Sequence, residues 1–350
     1  MKNAVILLAC ISVWSQTAIS GRASAQDLTA TAAVSALEIS GHTGAVNSLA
    51  FSPDGALLVS AGADRRCSVW DAETGARVSE TRTLGAAWGV AWSPDSTRFA
   101  VASLDSRLRI FAVAGTLEKE IEHGASGAYC VSWSPDGSKI ACGLSSGDVV
   151  LADPASGAFR SISVSNGSEG LSTQIIALAW SPDGSRLAAG GMDFVTRILD
   201  PRSGAVLREF RASESGRRDV NGLAWSPEGR RLAVCQQDGR TRAWDVETGA
   251  LLGAWVQTGG WLRAVAWSPD GRFLACAGNG REIVIRDAET GSLVASLPGH
   301  RSPVWSLAWS PNGEFLASGS GLYASTGGDC AVRIWRLRTD EFPAEGLHKH

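Results

Sequence analysis

Val46-Asn47-Ser48-Leu49-Ala50-Phe51-Ser52-Pro53-Asp54-Gly55-Ala56-Leu57-Leu58-Val59-Ser60-Ala61-Gly62 joins two apolar runs through a four-residue turn. The turn chemistry is specific: proline presets φ at one turn position and glycine accepts a positive φ at another. The turn returns as Ser93-Pro94-Asp95-Ser96, Ser134-Pro135-Asp136-Gly137, Ser181-Pro182-Asp183-Gly184, Ser226-Pro227-Glu228-Gly229, Ser268-Pro269-Asp270-Gly271 and Ser310-Pro311-Asn312-Gly313. Successive first residues lie 41, 41, 47, 45, 42 and 42 positions apart. A fixed period of this length makes the chain an array of one supersecondary unit. Such an array specifies a scaffold more than a chemistry.

Working outward from the first turn, each period holds four short segments of strand character. Residues 46–51 form strand a and residues 57–61 strand b. Asp64 marks a tight turn, residues 67–70 form strand c, the turn Asp71-Ala72-Glu73-Thr74-Gly75 follows, and residues 77–81 form strand d. Val, Ile, Leu, Trp and Ala fill the strands, and polar turn residues separate them. Four antiparallel strands at this period make one propeller blade, so the chain is predicted to be all-β, a seven-bladed β-propeller. After the last strand c, residues 332–335, only a polar tail remains, whereas Ala36-Leu37-Glu38-Ile39 alternates like a strand d. The N-terminal strand is therefore expected to complete the last blade, closing the ring and removing a free sheet edge. The propeller then spans residues 35–338, with a linker at 26–34 and a flexible C-terminal tail at 339–350.

With 350 residues, 44% of them hydrophobic, the chain can bury a large core, and its 19% charged residues are too few for a disordered chain. A formal net charge of −3, with Lys and Arg scattered, argues against a nucleic-acid partner. Lys2, an apolar run over residues 4–14 and Ala23-Ser24-Ala25 have the pattern of a secretory signal peptide over residues 1–25, cut before Gln26. This predicts a secreted, periplasmic or luminal protein; a cytoplasmic one is the alternative if the segment is a mis-assigned start or an organelle presequence. Leu7-Leu8-Ala9-Cys10 resembles a lipoprotein box, but nine residues before the cysteine are too few for an anchor. The run is too short to span a bilayer, so no membrane span is expected. The remaining cysteines, Cys67, Cys130, Cys142, Cys235, Cys276 and Cys330, show no CxxC and no metal-ligand spacing with histidine. Most are expected to be small buried residues. Cys130 and Cys142 flank the third turn, and folding that hairpin would place them roughly opposite each other, so a disulfide between them is a hypothesis.

Further residues carry a family resemblance. Trp-Asp pairs stand at Trp70-Asp71 and Trp244-Asp245, with degenerate versions at Phe111-Ala112, Ala152-Asp153, Leu199-Asp200, Arg286-Asp287 and Trp335-Arg336. Gly-His pairs stand at Gly41-His42 and Gly299-His300, with His123 displaced in the third period. Six residues before the Trp position comes Asp64, Asp105, Asp193, Asp238 or Asp329, replaced by Ser146 and Gly280 in the third and sixth periods. Over residues 35–338 the chain resembles a WD-repeat β-propeller. The resemblance implies a hydrogen-bonded network inside a blade, complete only for His42, Ser60, Asp64, Trp70 and for His300, Ser318, Asp329, Trp335. Such a set imitates a catalytic triad. Because its members recur at repeat positions, a structural role is expected.

No phosphate loop, G-x-S-x-G, haem site or metal box is present, and His348 and His350 sit in the tail. No catalytic residue, cofactor or metal is therefore predicted. The a–b and c–d turns are uniform, while extra residues fall at 165–173, 213–218 and 321–328, in d–a and b–c connections that share one face, the top. Four residues before the end of each strand a stand Asn47, Trp88, Tyr129, Ile176, Asn221, Arg263 and Trp305, with Trp261 nearby. Leu104, Met192 and Gln237 precede turn aspartates. The resemblance implies that these positions contact partners, and Trp, Tyr, Met and Arg are enriched at interfaces. For Trp88, Trp261 and Trp305, packing between blades is an equal alternative, and it is the expected role of the tryptophans that end strand a, Trp92, Trp133, Trp180, Trp225, Trp267 and Trp309. The leading expectation is a non-enzymatic, monomeric scaffold that binds a protein or peptide on the top face. The alternatives are a small-ligand or metal-binding, even enzymatic, propeller using the central channel, and a periplasmic envelope-associated propeller of the Tol type.

Overall fold

The computed structural model describes residues 36–338, apart from 125, 165–172, 212–218, 258 and 323–327, together with residue 342. The signal-peptide and linker segments lie outside these residues, as do most of the tail and of the lengthened loops; within the tail expected to be flexible, Phe342 is buried and meets the Phe273 ring edge-on at 5.1 Å. Seven four-stranded antiparallel sheets make up the fold, each one blade. The first contains Val46–Phe51, Leu57–Gly62, Arg66–Asp71 and Arg77–Arg82, each ending within a residue of the sequence expectation. The inner strands a of the other blades are Ala87–Trp92, Ala128–Trp133, Ile175–Trp180, Val220–Trp225, Leu262–Trp267 and Val304–Trp309.

Ring closure follows the sequence reading. Ala36–Ile39 pairs with Val332–Arg336 in the register Ala36 with Trp335 and Ile39 with Val332, so the seventh sheet joins both ends of the propeller. Arg333 Nη2 donates to Glu38 Oε2 at 2.9 Å across this seam, and Ile39 is buried.

Strands b are buried on both faces because each sheet packs between two neighbours, so they carry Ala, Val, Ile and Leu without alternation. Tryptophans ending strand a tie blades together. Trp92 Nε1 donates to Ala50 O at 2.9 Å, Trp180 to Ser132 O at 3.1 Å, Trp225 to Ala179 O at 3.0 Å and Trp267 to Ala224 O at 3.1 Å, each acceptor lying one blade back. Trp133 turns instead to Gly137 O of its own turn. Each Ser-Pro-Asp-Gly turn is locked from within. In the first, Ser52 Oγ donates to Asp54 Oδ1, and Ser52 Oγ in turn accepts from Leu57 N at 2.9 Å.

The disulfide hypothesis is corrected. Cys130 pairs with Gly143 and it is Val131 that faces Cys142, because the 134–137 turn sets a register that runs unbroken from Trp133 opposite Ile140 to Cys130 opposite Gly143. A one-residue offset puts two side chains on opposite faces of a sheet. Cys142 enters the core on one side of the blade, and Cys130 packs on the other, with Sγ 3.6 Å from Ile175 O. Cys67, Cys130, Cys142, Cys235, Cys276 and Cys330 are free, and burial pushes Cys142 up to about 12 and Cys276 to about 11.

Candidate functional site

The same irregularity recurs in all seven inner strands. The pairing of strand a with strand b skips one residue, between Val46 and Ser48, Ala87 and Gly89, Ala128 and Cys130, Ile175 and Ala177, Val220 and Gly222, Leu262 and Ala264, and Val304 and Ser306. The skipped residues are Asn47, Trp88, Tyr129, Ile176, Asn221, Arg263 and Trp305. A β-bulge leaves its extra residue out of the ladder and re-aims its side chain. Each blade therefore presents one side chain at the same level of its innermost strand.

The b–c connection is fastened beside each bulge. Ala63 N donates to Ala45 O, Leu104 N to Ala86 O, Ser145 N to Gly127 O, Met192 N to Gln174 O, Gln237 N to Asp219 O, Asn279 N to Trp261 O and Gly321 N to Pro303 O, at 2.8–3.1 Å. The d–a and b–c connections thus share one face, and Leu104, Met192 and Gln237, all half-buried, adjoin the bulged residues.

Several of these side chains converge. The Trp88 ring meets Tyr129 edge-on at 5.2 Å and Trp305 edge-on at 6.1 Å. The Arg263 guanidinium lies 3.7 Å from the Trp305 ring centre and 5.8 Å from that of Trp261. Blades two, three, six and seven so contribute to one aromatic–cationic cluster. Trp88 and Trp305 are half-buried in it, whereas Trp261 is 46% exposed. Trp305 is oriented by donating Nε1–H to Gly321 O at 2.8 Å. Asn47 Nδ2 donates to Ala87 O at 2.9 Å and Asn221 Nδ2 to Leu262 O at 2.6 Å, so the two asparagines bridge to the next blade rather than entering the cluster. Ile176 is half-buried, with no ring contact among the described residues. Asn279 was not singled out from sequence, yet its Oδ1 accepts from Arg263 Nε at 2.8 Å. It occupies the repeat position of Leu104, Met192 and Gln237, and that equivalence could have found it.

The two histidine networks assemble as structural units. Trp70 Nε1–H donates to Ser60 Oγ at 2.8 Å, and Ser60 Oγ lies 2.8 Å from His42 Nε2. His42 Nδ1 lies 3.1 Å from Asp64 Oδ1, and Asp64 Oδ2 accepts from Thr43 N at 2.8 Å. With the serine hydroxyl committed to His42 Nε2, the proton on Nδ1 faces Asp64. Trp335 Nε1–H donates to Ser318 Oγ at 2.8 Å and Ser318 Oγ lies 2.7 Å from His300 Nε2, whereas His300 Nδ1 stands 3.4 Å from Asp329 Oδ2 without a hydrogen bond. Burial, reinforced by Arg333, holds His300 at about 4 and therefore neutral. Ser60 and Ser318 have no exposed surface, so neither hydroxyl can reach a substrate.

A different pairing, which in the seventh blade stands beside the histidine as Arg333 with Asp329 at 3.7 Å, appears that sequence reasoning did not anticipate. Four residues after the turn aspartate stand Arg109, Arg197 and Arg242, buried and paired with Asp105 at 2.8 Å, Asp193 at 2.5 Å and Asp238 at 2.7 Å. The blades with Ser146 and Gly280 in place of the aspartate carry Val150 and Val284 there. Charge and countercharge are thus present or absent together, as burial demands.

Among the described residues no group of three or more His, Cys, Asp or Glu side chains could hold a metal ion, and no helix is long and apolar enough to cross a membrane. The family description "WD domain, G-beta repeat" matches residues 34–71, 79–111, 115–153, 162–200 and 291–336, more than half of the chain. A second, the WD40 domain of anaphase-promoting complex subunit 4, matches residues 211–260 and 256–310. A stretch of 41 residues is 61% identical to Protein Mut11 of Chlamydomonas reinhardtii; it covers 12% of this chain and 11% of that protein, about a tenth of the relative's length.

Proposed function

We propose a function from one premise: this chain belongs to the WD-repeat family. WD-repeat propellers are typical protein-interaction scaffolds, and this chain acts as a non-enzymatic one, docking a protein or peptide segment on its top face. One observation carries the reading. The bulged residues of different blades bring Trp88, Tyr129, Trp305 and Arg263 into contact on the innermost strands, where the ring could have ended in small polar groups. Aromatic and arginine anchors held by a rigid frame are the side chains that dominate binding energy at interfaces. The ordering cost of binding is low because the sheets already hold the rings.

The test is capture of peptides from a displayed random library by the wild-type chain and by Trp88→Ala/Trp305→Ala. The wild-type chain is expected to enrich a family of sequences, and the double variant to lose that family while keeping the wild-type circular dichroism spectrum. Equal enrichment by both would overturn the site.

A further inference from the structure

Arg263 is unlike the other buried arginines of the ring. Arg109, Arg197, Arg242 and Arg333 each have a carboxylate within ion-pair distance. Arg263 is half-buried, and its partners among the described residues are all neutral: the Trp305 face, the Trp261 ring and Asn279 Oδ1, which takes only Nε–H. Burial lowers its pKa, which is the sign of a desolvated cation without compensation. Elsewhere in this fold a buried arginine is matched by a carboxylate or absent, as at Val150 and Val284. An unmatched cation is costly to keep, and a binding partner that supplies the missing charge recovers that cost.

Ligand polarity follows from the same geometry. An aromatic cluster of this kind could in principle take a cation, such as a methylated ammonium group, against its ring faces. Here the Trp305 face is already covered by Arg263 at 3.7 Å, so an incoming cation would meet like charge. The seven bulged residues include one charged side chain, Arg263. A single positive charge balances one carboxylate, whereas a phosphate dianion calls for more than one. The guanidinium spends Nε–H on Asn279 and keeps its Nη edge, whose fork geometry fits a carboxylate through two parallel hydrogen bonds.

We infer that the top-face site is selective for an acidic peptide, one that seats a carboxylate on the Nη edge of Arg263 and an apolar side chain against Trp88 and Tyr129. The inference rests on the docking surface proposed above. The carboxylate comes either from an Asp or Glu side chain or from a peptide C-terminus, and the site chemistry is the same for both.

Two random-peptide libraries, one displayed with a free C-terminus and one with the C-terminus blocked, are selected against the whole chain and against Arg263→Gln. Wild-type selection should enrich Asp or Glu beside an aromatic or aliphatic residue in both libraries if the side chain is bound, or apolar C-terminal residues in the free-end library only if the terminus is. For a selected peptide, glutamate to glutamine, or amidation of the terminus, should weaken binding about tenfold or more, with no change to the protein itself. Arg263→Gln should lose that discrimination, and Arg263→Lys should retain part of it. Enrichment of neutral or of Lys- and Arg-rich peptides, or an unchanged acid preference in Arg263→Gln, overturns the inference and leaves the docking surface standing. Failure of the wild-type chain to enrich any peptide overturns both.

Discussion

A β-carbon placed on Gly55 would stand 3.6 Å from Pro311 Cδ, so the first turn of the propeller lies against the last. The relation repeats around the ring, Gly137 against Pro94, Gly184 against Pro135, Gly229 against Pro182, Gly271 against Pro227 and Gly313 against Pro269. Ser96 stands in for glycine in the second turn, and its Oγ accepts from Asp54 N at 3.2 Å. The residues that mark the repeat in sequence are therefore a belt of inter-blade contacts. Since 3.6 Å is ordinary contact, glycine is needed at position 55 for its φ of 76°, not for space. Gly55→Ala should cost about 1–2 kcal/mol in urea unfolding, and Gly55→Asn clearly less, because asparagine tolerates that conformation. Equal costs for the two would locate the requirement in packing instead.

Truncation separates what precedes the ring from what closes it. Removing residues 1–34 should leave the melting temperature nearly unchanged. Removing residues 1–40 takes away the buried Ile39, the Glu38–Arg333 pair and a whole strand of the seventh blade. The loss should lower Tm by on the order of 10 °C. Calorimetry of the two truncations checks it, and coincident Tm values would contradict the closure energetics.

Buried serines hold two partners each. Ser60→Ala removes the acceptor of Trp70 Nε1 and the neighbour of His42 Nε2 in one step. The expected cost is about 2–3 kcal/mol, with Ser318→Ala similar in the seventh blade. A cycle combining Ser60→Ala with His42→Ala should show the two losses to be strongly non-additive.

Paired charges should be cheaper to remove together than singly. Arg197→Val strands Asp193 in the interior and should cost about 3–5 kcal/mol. Arg197→Val combined with Asp193→Ser reproduces the third blade, which carries Val150 and Ser146. The double variant should fall short of the summed single costs by more than about 1 kcal/mol in denaturant titration.

Acid sensitivity should begin above the carboxylate range. His300 is held at about 4 from an ordinary 6.5, by burial first and Arg333 second. A depressed histidine stays neutral in the fold while the unfolded chain takes up a proton, so stability is complete above pH 6.5 and falls as pH drops towards 4. The loss is about 3 kcal/mol over that window. Burial lowers the pKa of His123 also, which adds to the effect in the same direction. The stability difference between pH 7 and pH 5 should therefore shrink in His300→Asn, as measured by urea midpoints; an unchanged difference would assign the acid sensitivity to other groups.

The top-face site was only half legible in the sequence. Its members could be found because they break the repeat: Trp88, Tyr129, Arg263 and Trp305 stand where a repeat position has no common residue type. Their convergence could not be found, since strand alternation read through position 88 or 305 gives no sign of a bulge. The arginine–aspartate pairs were missed for a related reason. A strand-c arginine reads as a surface charge until the neighbouring blade is seen to cover it, as it does Arg197, which is 2% exposed.

Blade number, turn positions and the strand that closes the ring were all determined by the amino-acid sequence alone. These properties depend on local turn chemistry and on a period that any single blade repeats. Tertiary structure alone decided that His42 and Ser60 are sealed from solvent, and that Arg263 rests on Trp305 without a countercharge. Those outcomes depend on which blade stands beside which and on a one-residue bulge in each inner strand. A bulge shifts register without leaving a mark in composition or period, and register is what aims a side chain.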